Sequence, residues 1–320
     1  MKISSKLVGA GLAAMGAMSL SAITPAAAGS ISQPGELVGY TWAPLPEGIY
    51  FATTESYGNN RGLAFDSEDA ISIPVIIWST PWTLFGGRVE AYVAVPSRSI
   101  TVPHPLGVPG TAVHLAGAAL DGLWVGEGWD LGNGWGVSNF IGGYAPTNGL
   151  NGLVDFWTFN ERLGVTWAQN GWSFSGHVIY GVTGNNLSST AGGIFGTPGG
   201  YGTKTSPNYV NLDLTGTYTY GKWTLGAIAF GSWDVSGIST PFGALPAAKQ
   251  SQFAVGPFVG YNFGPVILQA WVSRDIATSN YFNLQPAPFT SKMYETRGWL
   301  RVIVPLWTAP APAAPVVAKY

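Results

Sequence analysis

The chain has 320 residues, of which only 9% are charged against about 25% in an average soluble domain, while 13% are aromatic and 45 are glycine. With 14 basic and 16 acidic residues it has no positive excess, which excludes nucleic acid and other polyanions as partners. It has no cysteine, so neither a disulfide framework nor thiolate chemistry is available.

The N-terminus reads MKISSKLVGAGLAAMGAMSLSAITPAAAGS. Lys2 and Lys6 precede an apolar run that closes on Pro25 and Ala26 to Ala28, the order of a secretory signal peptide over 1–28, cut before Gly29. A membrane anchor fits less well, because Ser19 and Ser21 interrupt the run and small residues follow it. Without Lys2 and Lys6, 12 basic residues remain against 16 acidic ones, a formal charge of −4. Beyond the leader no apolar run reaches the ~18 residues a membrane helix needs. A chain this poor in charge must therefore present apolar surface without helices. In lipid the remaining solution is a closed barrel, in which every backbone N–H and C=O pairs with a neighbouring strand. Residues 29–47 are expected to form a short periplasmic segment, too small for a folded hatch, so any plug should come from inward side chains or an external loop folded inward.

In chain order, strands are expected over Gly48 to Tyr57 and Ala70 to Trp78, with a short turn over Ser79 to Leu84 leading to Gly87 to Val95. A proline-rich loop from Pro96 to Asp121 should be irregular. Strands Gly122 to Asp130 and Trp135 to Tyr144 flank Leu131-Gly-Asn-Gly134. A loop over Pro146 to Asp155 precedes Trp157 to Trp167 and Trp172 to Gly181, joined by Gln169-Asn-Gly171. The polar stretch Val182 to Pro207 leads to the clearest hairpin. There Leu212, Leu214, Gly216, Tyr218 and Tyr220 alternate with Asn211, Asp213, Thr215, Thr217 and Thr219; after Gly221-Lys222, Trp223, Leu225, Ala227 and Ala229 alternate with Thr224, Gly226, Ile228 and Phe230. A loop over Ser236 to Lys249, strands Gln250 to Phe263 and Val266 to Arg274 about Gly264-Pro265, a loop over Ile276 to Met293 and a strand Glu295 to Pro305 complete the chain.

The fold class is thus all-β: an antiparallel transmembrane barrel of about 12 strands over 48–307, with long external loops, short periplasmic turns and an Ala/Pro-rich tail at 308–320. Aromatics gather beside the tight turns (Trp78 and Trp82, Trp129 and Trp135, Trp167 and Trp172, Tyr220 and Trp223, Tyr261 and Phe263), as an inner headgroup-level girdle would require. Tyr57, Tyr144, Tyr180, Tyr209 and Trp233 are expected to form the outer one.

Period-two alternation sorts the charged residues. If Leu300, Val302, Val304 and Leu306 face lipid, then Glu295, Arg297, Trp299 and Arg301 face inward; the same rule turns Arg88, Glu90, Tyr92, Arg162, Asn211 and Asp213 inward. An Arg or Lys on the lipid face at mid-depth would cost ~2 to 4 kcal/mol. Arg88, Glu90, Tyr92, Arg162, Asp213, Glu295, Arg297 and Arg301 therefore either form a constriction carrying both signs of charge or pair with one another and hold the lumen shut. Ile228, Phe230, Phe258, Trp271 and Trp299 are inward too, either as a greasy track for aromatic or acyl groups or as ordinary lumen packing.

At GWDLGNGW (128–135), WTFNERLGVTW (157–167), NGWSFSGHVIYG (170–181), YGKWTLGAIAFGSWDVS (220–236) and FAVGPFVGYNFGPVILQAWVSRD (253–275) the sequence resembles the family described as putative MetA-pathway of phenol degradation, outer-membrane barrels often regarded as transporters. The resemblance spans about Gly48 to Trp307. It implies passive uptake of small hydrophobic or aromatic compounds across a Gram-negative outer membrane, and assigns no binding residues. Expected partners are outer-membrane lipid, such solutes and the barrel-assembly machinery; no cofactor is expected. A diffusion porin and a structural or adhesin-like barrel are the alternatives. An enzyme is not expected. His177 shares a face with Ser173 and Ser175 but has no acidic orienter nearby in sequence, His104 and His114 lack ligand spacing, and the glycines of 126–134 are followed by no helix that would make a phosphate loop.

Overall fold

The computed structural model describes residues 30–310, apart from 62–65, 104–111, 120, 148–154, 188–201, 203, 205, 241–242, 246–248 and 280–292. The expected leader, His104 and the tail beyond 310 lie outside the described residues. Within them the secondary structure is all strand: β1 (Gly48–Arg61), β2 (Ser67–Leu84), β3 (Gly87–Ala94), β4 (Ser97–Val102), β5 (Val113–Ala118), β6 (Asp121–Gly132), β7 (Trp135–Ala145), β8 (Thr158–Gln169), β9 (Trp172–Thr183), β10 (Tyr209–Tyr220), β11 (Trp223–Asp234), β12 (Ile238–Thr240), β13 (Gly243–Leu245), β14 (Ser251–Asn262), β15 (Ile267–Ser279) and β16 (Tyr294–Thr308).

Twelve of these close into one antiparallel barrel. Each of β1, β2, β3, β6 to β11 and β14 to β16 pairs with its neighbour in sequence, and β1 closes the ring on β16, from Gly48 opposite Thr308 to Arg61 opposite Tyr294. The closed ladder leaves no edge, as lipid demands. The barrel strands run mostly to 11 residues or more, enough to cross a bilayer when tilted. At one end, the turn end, two-residue turns join the strands. Asn133-Gly134 and Asn170-Gly171 both have positive φ, which matches the twist of the strands they connect. At the other, the loop end, the connections are long.

Alternation works inside out relative to a soluble sheet. Ile76, Val93, Leu123, Val125, Ile141, Leu163, Leu225 and Leu300 are exposed, while Asn160, Arg162, Asn211, Asp213, Ser232, Arg297 and Arg301 are buried. A continuous apolar outer band of this kind suits hydrocarbon and not water. The aromatics of the tight turns face outward at the turn end: Trp78, Trp82, Trp135, Trp172, Tyr220, Trp223 and Phe263 are all exposed.

Three local expectations are corrected. The proposed turn at Ser79 to Leu84 is strand: β2 continues to Leu84 across a register irregularity between Ser79 and Thr83 that accommodates Pro81, and the turn is Phe85-Gly86, both at positive φ. The supposedly irregular Pro96 to Asp121 loop carries β4 and β5, which extend the β3–β6 hairpin beyond the barrel wall. Pro96, which has no N–H to donate, sits at the break between β3 and β4, and both keep one register on β2 (Ala94 opposite Val75, Ser97 opposite Ser72). Finally, Tyr144 and Tyr209 do not belong to an outer girdle. They share the inward parity of Phe140 and Asn211 and are only 4% and 0% exposed.

Candidate functional site

The largest departure from the sequence reading is residues 30–47. They do not hang below the barrel. They thread the lumen as an irregular strap, from Ser30 near the loop end to Glu47 at the turn end. Asn211 donates to Ser30 Oγ (2.9 Å) and to the Ser32 carbonyl (2.9 Å), and Ser32 Oγ lies 3.0 Å from the Tyr209 hydroxyl. The Asp213 carboxylate accepts the Gly35 and Leu37 N–H groups, each at 2.9 Å; Thr215 accepts that of Gly39 (2.9 Å) and Thr166 that of Trp42 (2.9 Å). Glu90 accepts the Leu45 N–H at 2.8 Å, and Ser79 donates to the Leu45 carbonyl at 2.9 Å. With no ladder partner, the strap satisfies part of its backbone in its own turns, where Glu36, Val38 and Tyr40 donate to the carbonyls of Gln33, Gly35 and Leu37, and the inward polar residues of the wall supply further partners.

Glycines make the seat. In the strap, Gly35 and Gly39 have φ of 85° and 80°, and each lies against a ring, Phe230 and Phe258 respectively. On the wall, a Cβ at Gly136 would fall 2.7 Å from Ala43 Cα, and one at Gly164 would fall 2.6 Å from Trp42 Cγ, so only glycine lets the strap lie this close.

The sequence-derived charged residues all point inward, but at three levels instead of one ring. Near the turn end, Arg88 donates to the Thr80 carbonyl (2.9 Å) beside Glu90. At mid-depth Arg162 pairs with Glu36 of the strap at 2.8 Å, donates to Asn160 (2.7 Å) and Tyr144 (3.2 Å), and lies 4.1 Å over the Trp124 ring, on which Tyr92 stacks at 4.9 Å. Arg301 donates to the carbonyls of Glu36 and Val38, to Thr54 (2.8 Å) and to Gln269 (3.2 Å), and lies 3.9 Å over the Tyr40 ring. Toward the loop end Arg297 bridges Glu295 (2.6 Å) and Asp69 and donates to Ser56 (2.9 Å), while Arg98 holds the other Asp69 oxygen at 2.8 Å. Every one of these buried guanidinium groups is therefore paired or hydrogen-bonded, as burial requires.

The apolar candidates Ile228, Phe230, Phe258, Trp271 and Trp299 cluster with Ala254 and Val38 of the strap; Trp271 stacks on Trp299 at 5.3 Å. With the strap seated, this cluster is filled. The open space lies elsewhere: a chamber of about 530 Å³ runs from Glu36 and Arg162 to the turn residues Lys222 and Gly264. One side of its lining is Ile73, Val75, Ile77, Tyr92, Trp124 and Phe140; another is Ser173, Ser175, Thr215, Thr217 and Thr219. Only Glu90, Tyr92, Arg162 and Phe258 among the sequence-derived candidates reach it. Trp124, Phe140 and the hydroxyl row escaped the sequence reading, although the parity that turned Asp213 inward also turns Thr215 and Thr217 inward.

His177 is buried opposite Asp213 on the paired strand, with its ring 5.0 Å from that of Trp42. Neither ring nitrogen has a hydrogen-bond partner among the described residues, and the Asp213 carboxylate is engaged by the strap. No nucleophile–base pair is assembled there. His114 Nδ1 lies 2.9 Å from the Thr101 hydroxyl. Outside the barrel, a shallow depression of about 710 Å³ borders Ser72, Ser99, Gly298 and Glu55, whose carboxylate accepts from Thr53 (2.6 Å) and Ser72 (2.8 Å).

Among solved structures, the fold is similar to that of the COG4313 outer membrane channel from Pseudomonas putida F1, with a TM-score of 0.65 at 12% identity over 85% of this chain and 98% of that one. A Pseudomonas aeruginosa FadL homologue aligns at TM-score 0.46 and 10% identity over 88% and 96% of the two chains, and the AIDA-I autotransporter transport unit from Escherichia coli at 0.47 and 9% over 87% and 96%. No curated protein matches the sequence. The closed twelve-stranded wall is the architecture of outer-membrane barrels, and a family match runs over residues 52–285, from β1 to the connection after β15. The chain belongs to the family described as putative MetA-pathway of phenol degradation.

Proposed function

We propose that the protein is a passive outer-membrane channel for small hydrophobic or aromatic compounds, which pass through the lumen beside the strap. The observation that carries this reading is the chamber: its volume suits one small molecule, one wall is aromatic and aliphatic, and its buried charges are already engaged. A diffusion porin gains nothing from aromatic lining, and a lumen crossed by a strap has little room for a wide water column. The track candidates Trp271 and Trp299 become accessible to a solute only when Val38 leaves them, so passage through the loop-end half requires the strap to shift. In this reading Glu90, Tyr92, Arg162 and Phe258 border the solute, while Arg297 and Glu295 hold the wall together. The same reading places the chain in a Gram-negative outer membrane after export by a cleavable leader and insertion by the barrel-assembly machinery. The burial of Ser30 beside Asn211 supports cleavage, since an uncleaved leader would have to leave through the loop end of the lumen.

Single-channel recording and proteoliposome uptake with the purified full chain test the proposal together. Small ionic conductance with accelerated entry of an aromatic such as toluene is the expected result. A steady large conductance would assign a general porin instead, and silence in both assays would assign a structural or adhesin-like barrel.

A further inference from the structure

The turn-end chamber gathers hydroxyl groups without partners onto one open cavity. Ser173 stands directly opposite Thr217, and Ser175 opposite Thr215, on the paired strands β9 and β10. Thr215 accepts the Gly39 N–H, but Ser173, Ser175 and Thr217 have no hydrogen-bond partner among the described residues, although Ser175 and Thr217 are only 8% and 6% exposed. Ser138 Oγ and Trp42 Nε1, which also line the chamber, are fully buried and equally unpartnered. A Cβ at Gly164 would lie 2.9 Å from that Ser138 oxygen and 2.6 Å from the Trp42 ring, so these two groups meet at one place on the wall. Ser138 Oγ and Trp42 Nε1 are buried polar atoms of a kind that native interiors rarely leave idle, and the Ser173, Ser175 and Thr217 hydroxyls open onto the same chamber.

The charge around them is settled. The Glu36 carboxylate is paired with Arg162 at 2.8 Å, and Glu90 accepts the Leu45 N–H at 2.8 Å. Lys222 stands in the turn at the rim and not among the hydroxyls. An anion drawn in as far as the hydroxyl row would lose hydration and leave the Lys222 ammonium behind at the rim, whereas a neutral hydroxyl can both donate to and accept from Ser and Thr. Facing the row, Ile73, Val75, Tyr92, Trp124 and Phe140 offer apolar surface.

We infer that the chamber is a binding site for uncharged amphiphiles: solutes with an apolar body, laid against the Tyr92–Trp124–Phe140 wall, and at least one hydroxyl, received by the Ser173, Ser175 and Thr217 row. The inference rests on the channel reading above and sharpens it, because it makes the site selective for a neutral polar handle and not for apolarity alone. Same-face residues along one strand are ~7 Å apart and facing residues on paired strands ~5 Å, so a solute can move toward the turn end by exchanging one hydroxyl partner for the next.

Three probes that share one ring test this: benzyl alcohol, toluene and benzoate, measured by equilibrium dialysis of labelled compound against the purified full chain in detergent, with protein-free micelles subtracted. Benzyl alcohol should bind roughly two- to tenfold more tightly than toluene, the range of one net hydrogen bond, and benzoate most weakly. In Ser175→Ala/Thr217→Val the benzyl alcohol affinity should fall toward that of toluene while toluene binding is unchanged. Equal binding of benzyl alcohol and toluene, an unaltered benzyl alcohol affinity in the double variant, or benzoate binding as tight as the alcohol would each overturn the inference while leaving the channel reading intact. Binding of none of the three overturns the inference too, and joined to absent toluene uptake it removes the channel reading as well. If the double variant does not fold, the wild-type ranking of the three probes still decides.

Discussion

The two halves of the lumen set most of their polar residues in different surroundings. In the loop-end half, Arg297, Arg98, Asp69, Glu295, Asn160, Asn211 and Tyr209 bond one another or the strap, and buried charge meets buried countercharge. In the turn-end half, Ser173, Ser175 and Thr217 face a cavity and bond to none of the described residues. The first arrangement stiffens a wall and closes a path; the second keeps a surface available. One alternating pattern thus builds a closed segment and a receptive one, and the strap runs through both.

That contrast can be broken most directly by deleting residues 30–46. None of them contributes to the β1–β16 or β1–β2 ladders, so the barrel should still insert, and single-channel recording should show a large step in conductance; an unchanged conductance would mean that the strap blocks nothing. Next in size is Arg297→Met. It leaves Glu295 buried without its cation, which typically costs ~3 to 5 kcal/mol, and urea unfolding in lipid vesicles should register that loss while conductance stays as it was. Gly136→Val tests the seat from the wall side. Its side chain would meet Ala43 at distances no ordinary contact allows, so it should cost ~1 to 3 kcal/mol or push the strap aside, read as faster proteolysis of residues 30–47. The smallest effect should come from Ser173→Ala, which removes a hydroxyl bonded to none of the described residues: stability should change by less than ~0.5 kcal/mol while benzyl alcohol binding weakens. A loss of several kcal/mol there would show that the turn-end row is structural after all, and the contrast between the halves would vanish.

Much of the wall is legible in the sequence. Alternation over Asn211 to Tyr220 and Trp223 to Asp234 separates lumen from lipid correctly, since a strand has a two-residue period and the cost of charge in hydrocarbon leaves one choice of face. Parity would also have turned Tyr209 inward with Asn211 and Asp213. Expecting it in a girdle gave weight to residue type where strand geometry was the stronger constraint. Prolines in the wall work in the opposite sense: Pro81 sits at a register irregularity within β2, and Pro96 at the break between β3 and β4, which keep one register on β2 across it.

The strap was not legible, and the reason is physical. Residues 30–47 lack periodicity because they pair with no strand, and their backbone is held by Asp213, Thr215, Thr166, Glu90 and Arg301, drawn from four wall strands that are far apart in sequence. A one-dimensional pattern can say that Asp213 and Arg301 face inward; it cannot say that they face each other across a third piece of chain. The sequence by itself determined the cylinder, its strand number and which residues look in, because those follow from local alternation and from the solvent outside. Only the tertiary structure decided what fills the cylinder, because that depends on which inward groups find partners and which are left over.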